Sequence, residues 1–198
     1  MIKFINLNQG APYLKFKKKY NEALLEKQKS IEAISISSYS KDTNEVNARF
    51  VNLKFVNKNE FIFFSNYESS KSKDFKNHSQ ITALIYWNSI STQIRLKAFI
   101  KKTTKEFNNN YFLNRSRKKN ALAISSRQSK PIKSYEKVVE NYKKTLDAGN
   151  LKNCPEYWGG YSFTPYYFEF WEGHESRLNR RDIYELRKDN WEQYIIQP

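Results

Sequence analysis

Near its C-terminus the chain reads FEFWEGHESRLNRR, from Phe168 to Arg181. An aromatic run, a turn at Glu172-Gly173 and three arginines within five residues stand together there. A tryptophan offers a flat apolar wall. A guanidinium offers a planar fork that matches phosphate or carboxylate, a match that lysine cannot make. Other segments that combine cations, aromatics or small polar residues recur upstream. They are RFVNLK (Arg49–Lys54), FFSNYESSK (Phe63–Lys71), IYWNSISTQIRLKA (Ile85–Ala98), YFLNRSR (Tyr111–Arg117), SSRQS (Ser125–Ser129) and WGGYSF (Trp158–Phe163).

Other chemistries lack their residues. The five glycines assemble neither a GxGxxG nor a P-loop, so any phosphate must be held by side chains. His78 and His174 stand alone, and no Cys/His cluster has metal spacing. Cys154, the single cysteine, has no histidine nearby in sequence and reads as a plain thiol; no internal disulfide can form.

The elements that must position these residues follow from periodicity. Tyr13 to Ser30 reads as a helix behind Pro12, with Tyr13, Phe16, Tyr20 and Leu24 on one stripe. Ile31–Ser38, Ala48–Val56 and Glu60–Ser65 are strand-like, with a hairpin turn at Asn57-Lys58-Asn59. Ile81–Asn88 is apolar on both faces and belongs at the centre of a sheet. In QIRLKAFIKK, Ile94, Leu96, Ala98 and Ile100 point inward, and Gln93, Arg95 and Lys97 lie on the other face. A polar, helix-like stretch runs from Lys105 to about Ser126. Ser134 then caps a helix with Tyr135, Val138, Val139, Tyr142 and Leu146 on one face and Gly149 as its stop. The tail returns to strands as GYSF, YYFEFWEG, IYELR and WEQYII. Many short strands with few helices between them predict a mainly β, antiparallel barrel or sandwich with flanking helices. With no repeat or flexible linker, the expectation is one domain over 1–198, with an N-terminal helix near 12–30 and C-terminal strands over 158–198.

The net charge is +15, from 35 basic and 20 acidic residues. A polyanion partner would explain it, and so would a Lys-rich solvated surface. Lysine supplies 26 of the basic residues, and asparagine, also written with AT-rich codons, numbers 21, which favours the solvated surface. The nine arginines then carry the information. Aromatics at 16% argue for a folded core. No stretch of 18 apolar residues and no apolar leader is present, so a cytoplasmic protein without a membrane partner is expected.

Taken in order and spacing from about Ala48 to the C-terminus, the seven segments resemble the pyridoxamine 5′-phosphate oxidase family of FMN-dependent enzymes. The resemblance implies a split β-barrel and a homodimer with FMN at the subunit interface. It implies cofactor contacts from Arg49, Phe50, Val51, Asn52, Leu53, Lys54, Phe64, Ser65, Ser70, Lys71, Gln93, Gln128, Ser129, Trp171 and Arg181. It further implies substrate contacts from Lys54, Tyr111, Arg115 and Lys119, with Arg177 and Asn179 beside the reacting ring.

Three positions depart from the family. Ser70 stands where an arginine accompanies the phosphate-binding lysine, exchanging a charge-assisted contact for a neutral one at a cost of about 1–2 kcal/mol. Lys119 replaces a serine at the substrate phosphate. Asn179 replaces the histidine of an R-x-H element and carries no proton at neutral pH. The resemblance thus implies oxidation of pyridoxamine or pyridoxine 5′-phosphate by molecular oxygen. A flavoprotein of the same fold acting on another anionic substrate is the close alternative. A basic RNA-binding barrel with stacking aromatics is the distant one, since the arginines fall on separate motifs instead of one basic run.

Overall fold

The computed structural model describes residues 1–198. Its elements are β1 (Lys3–Ile5), α1 (Ala11–Leu25), β2 (Ala33–Ser40), β3 (Glu45–Asn52), β4 (Phe55–Asn57), β5 (Glu60–Asn66), α2 (Ser70–Asn77), β6 (Gln80–Trp87), β7 (Thr92–Lys102), α3 (Lys105–Leu113), α4 (Arg117–Ser125), α5 (Tyr135–Asp147), β8 (Trp158–Glu172), β9 (Arg180–Arg187) and β10 (Asn190–Ile196).

The ten strands form one sheet in the order β1-β4-β5-β8-β7-β6-β2-β3, with β9 joined to β8 and β10 to β9. Every pairing is antiparallel except the short β1–β4 contact, which is parallel. The expected GYSF and YYFEFWEG strands are one fifteen-residue strand, β8. Its first half pairs with β5 and its second half with β9, while β7 runs along both. The sheet therefore forks in the middle of β8. Pro165 stands at that fork, beside a register shift at Lys97/Ala98. Proline lacks the N–H a central ladder needs and is tolerated where pairing changes hands. The fork splits the barrel.

The core holds the apolar rows of β5, β6, β7 and β8 together with one face of α1. Tyr13, Phe16, Phe61, Phe63, Phe163 and Phe168 are all at most 2% exposed. Rings pack edge-on, as in Phe16 against Phe61 at 5.0 Å and Tyr13 against Phe168 at 5.2 Å. Ile94, Leu96, Ala98 and Ile100 face inward as their alternation requires.

Several boundaries differ from the periodicity, each for a local reason. Helix α1 stops at Leu25 instead of Ser30, because Lys27 takes a left-handed φ of 53° and the Gln28 N–H turns back to the Ala23 carbonyl. That is a Schellman ending with lysine where glycine is usual. The strand expected over Ala48–Val56 breaks at Leu53-Lys54 into β3 and β4. Strand β6 is internal, between β2 and β7, but only one face is covered: Tyr86 is 53% exposed. The polar middle is two helices, α3 and α4, the first capped by Thr104. Helix α5 begins as expected, with Ser134 accepting from the Lys137 N–H, and ends before Gly149 at φ 97°. No helix is long and apolar enough to cross a membrane.

Candidate functional site

The break after β3 decides the site. In one continuous strand Arg49 and Lys54, five residues apart, would face opposite ways. Because the chain leaves the strand at Leu53, both open on one cavity. Leu53 itself is fully buried in the core, so its side chain faces away from any ligand there.

That cavity has a volume of about 560 Å³. Its wall combines Arg49 to Asn52 of β3, Lys54, Phe64 and Ser65 of β5, and Ser70 and Lys71 of α2. Tyr111 of α3, Arg115, Lys119 of α4, and Gln128 and Ser129 of the loop that follows complete it. All fourteen are residues the sequence had singled out. The lining holds five cations and no acid.

The cations are not equally free. Arg49 donates to Ser38 Oγ at 2.7 Å and to the Ile36 carbonyl at 3.2 Å, and it lies 3.6 Å from buried Asp74. Lys54 stands 3.9 Å from Glu32. Lys71 is 8% exposed and meets no carboxylate; its ammonium donates only to Ser69 Oγ at 3.0 Å. Burial, and then the Arg49 charge, push its pKa down to about 8. A buried ammonium without a counter-ion is costly, and an anion in the cavity would relieve that cost. Lys71 and Ser70 also open α2, whose amino end favours negative charge.

The opposite wall is aromatic. Tyr111 stacks on Phe64 at 3.8 Å and 8°, and Phe64 stacks on Trp158 at 5.1 Å and 10°. The Arg115 guanidinium lies over the Trp158 ring at 4.8 Å and donates to the Lys119 carbonyl at 2.9 Å. Burial lowers the Arg115 pKa. Gln128 is pinned by Ser65 Oγ at 3.3 Å and by the Asn66 N–H at 3.4 Å. Trp158 backs this wall, and Ser38 and Asp74 hold Arg49; none of the three was assigned from the sequence. The two glycines following Trp158 were the available signal for the first, and nothing local marks the other two.

Gln93, Trp171 and Arg181 do not line the cavity. They form a row of their own, Gln93 opposite Trp171 and Trp171 opposite Arg181 across β7, β8 and β9. Arg177 and Asn179 lie on the β8–β9 loop. Arg177 is exposed, with a left-handed φ of 59°. The Asn179 side-chain oxygen accepts the His174 N–H at 3.1 Å, so it ties the loop to itself. The single chain thus presents two separate groups of site residues. The donor set around Lys71 suits a phosphate, and the flat aromatic wall suits a planar ring, so the residues fit FMN.

Comparison with known proteins gives the family and the fold. Residues 158–198 match the family model described as the pyridoxine 5′-phosphate oxidase C-terminal dimerisation region. A pyridoxine/pyridoxamine 5′-phosphate oxidase of Leptospira biflexa is 34% identical over 182 residues, covering 90% of this chain and 85% of that protein. One from Leptospira interrogans is 30% identical over 190 residues, with 94% and 88% covered. In fold, the chain is similar to PhzG from Burkholderia lata, solved with tetrahydrophenazine-1-carboxylic acid. The TM-score is 0.89 at 22% identity, with 94% of this chain and 92% of that one covered. The chain belongs to the pyridoxine/pyridoxamine 5′-phosphate oxidase family of FMN-dependent oxidoreductases.

Proposed function

We propose that this protein is an FMN-dependent oxidase that converts pyridoxamine or pyridoxine 5′-phosphate to pyridoxal 5′-phosphate. The observation that carries the reading is the acid-free cationic lining around buried, unpaired Lys71. Two phosphates, one from cofactor and one from substrate, use such a lining; a neutral ligand would leave Lys71 without a counter-ion.

Lys71 and Arg49, with the start of α2, hold the cofactor phosphate. Ser65 and Gln128 offer hydrogen bonds along the cofactor's polar chain. Lys54, Tyr111, Arg115 and Lys119 grip the substrate phosphate. When bound, FMN would supply a two-electron acceptor for the C4′–H bond, with molecular oxygen reduced to hydrogen peroxide in turn; the imine formed from pyridoxamine 5′-phosphate would then take up water and release ammonia. The protein's share is orientation, exclusion of water and fixed charge. Arg177 is the cation set over the reacting ring. Asn179, engaged within its loop, transfers no proton.

The matched dimerisation region supports a homodimer. A second copy laying its Gln93–Trp171–Arg181 row over the cavity unites the two groups of residues that one chain keeps apart.

A flavoprotein acting on another anionic substrate is the second reading, favoured by Asn179 and Lys119, which both lie on the substrate side. The visible spectrum with added FMN, then with pyridoxamine 5′-phosphate under anaerobic conditions, separates the two. Bound flavin that bleaches supports the oxidase. Flavin that stays yellow moves the protein to the second reading. Failure to bind FMN at all refutes both and revives the nucleic-acid alternative.

A further inference from the structure

Outside the cavity, Glu169 of β8 is one of two acids buried on the strands, the other being Asp182 of β9. Glu169 is 2% exposed. Its Oε1 accepts the Arg181 Nε and Nη2 at 2.9 and 2.7 Å, a two-pronged fork. Its Oε2 accepts the Tyr167 hydroxyl at 3.1 Å and an Arg95 Nη2. The third Arg181 nitrogen, Nη1, donates to the Gln197 carbonyl at 3.1 Å. Every nitrogen of Arg181 is therefore tied down. Burial pushes the Glu169 carboxyl up, but the bonds from Arg181 and Arg95 outweigh it and hold the group below its ordinary range.

A purely structural ion pair is the simpler account, and it fits poorly. Apolar residues of similar volume usually stabilise such a site as well as or better than charges do. Here one acid is given two arginines, leaving a net positive charge. Arg95 Nε is buried without any partner. The cluster is also continuous in register with Trp171: Arg95 stands opposite Glu169, and Trp171 opposite Arg181. An excess cation of fixed geometry, beside a flat aromatic ring, suits an anionic ligand more than a core.

We infer that Glu169 is a positioning residue for cofactor binding: its buried carboxylate locks the Arg181 guanidinium in the orientation that meets FMN, with Arg95 holding that carboxylate in place. The inference rests on the flavin reading above. Glu169 touches no ligand itself and acts through Arg181.

Titration of FMN fluorescence against the wild type, Glu169→Gln, Arg181→Ala and the double variant tests this. Glu169→Gln is expected to weaken FMN binding at least tenfold. In the Arg181→Ala background the same change is expected to add no further loss, because its route to the ligand is gone. A merely structural glutamate lowers the melting temperature and leaves the affinity of folded molecules unchanged. Wild-type affinity in Glu169→Gln beside weakened binding in Arg181→Ala would overturn the inference while sparing the flavin reading. Wild-type affinity in both variants overturns it by removing Arg181 from the cofactor site. If the wild type takes up no FMN, the flavin reading fails first and the inference with it. Should Glu169→Gln not fold, Tyr167→Phe removes one donor and keeps both ion pairs. About threefold weaker binding there supports the inference, and unchanged binding opposes it.

Discussion

Lys71 is the residue on which the cavity's chemistry turns. It is a cation held in a low-dielectric wall by the fold, with its pKa near 8, and its missing counter-ion is what a ligand supplies. A phosphate recruits the protonated form. Affinity for FMN should therefore be greatest below pH 8 and weaken, by up to tenfold per pH unit, as the pH rises through that value. Fluorescence titrations between pH 7 and 9.5 check this, and Lys71→Met should be both weaker and flat with pH. For the ligand-free protein the sign is reversed. An unfolded chain with a lysine pKa near 10.4 keeps a proton that the folded chain has lost between about pH 8 and 10, so this residue's contribution to stability rises across that window. The resemblance of seven short segments to the family made the cavity's lining legible. The carboxylates that hold Arg49 and Arg181, Asp74 and Glu169, carry no such local mark, because a lone acid in a strand or helix looks like any surface acid until its arginine arrives from another element.

At the scale of elements, two packings position the site. One is the approach of α3 and Tyr67 to β8. The Asn108 amide joins the Gly160 N–H at 2.8 Å to the Tyr67 hydroxyl at 3.0 Å, and the Tyr67 hydroxyl returns to the Gly160 carbonyl at 2.9 Å. A Cβ on Gly159 would stand 2.2 Å from that hydroxyl and 2.4 Å from the amide nitrogen. Gly159→Ala should cost about 2 kcal/mol in urea unfolding, as overpacking does, and loosen the Phe64–Trp158 stack beside it. The other is the clamp of α1 on the C-terminal strands. Lys15 pairs with Asp182, which is 1% exposed, and Lys19 lies 3.3 Å from Glu172. Lys15→Met strands a buried carboxylate with only Arg180 as partner. It should cost about 3 kcal/mol by denaturation, and a milder loss or none would show that Arg180 suffices. The amphipathic period marked α1 and α5 correctly as helices. It missed where α1 stops, because a left-handed lysine is not a recognisable ending.

For the whole molecule, the sheet has one face turned to the core and one with Val46, Phe50, Tyr86 and Phe99 more than half exposed. Apolar area of this kind, on the same face as the Gln93–Trp171–Arg181 row, fits the proposed second copy. Light scattering after gel filtration should give about 47 kDa, twice the 23.7 kDa chain. A stable monomer that binds FMN with full affinity would separate the cofactor site from dimerisation.

By itself, the sequence determined the mainly β architecture, the caps of α5, the inward row of β7 and, through resemblance to a family, the candidate site residues. Those depend on periods of two or 3.6 residues and on side-chain chemistry, which are local. Only the tertiary structure decided that β8 is one strand forking the sheet at Pro165. It also decided that Arg49 and Lys54 share a cavity, and that the remaining site residues stand apart from it. These depend on where a strand breaks and which neighbour it then pairs with. Pairing is chosen by long-range competition for backbone hydrogen bonds and apolar cover, and no short window of sequence records that.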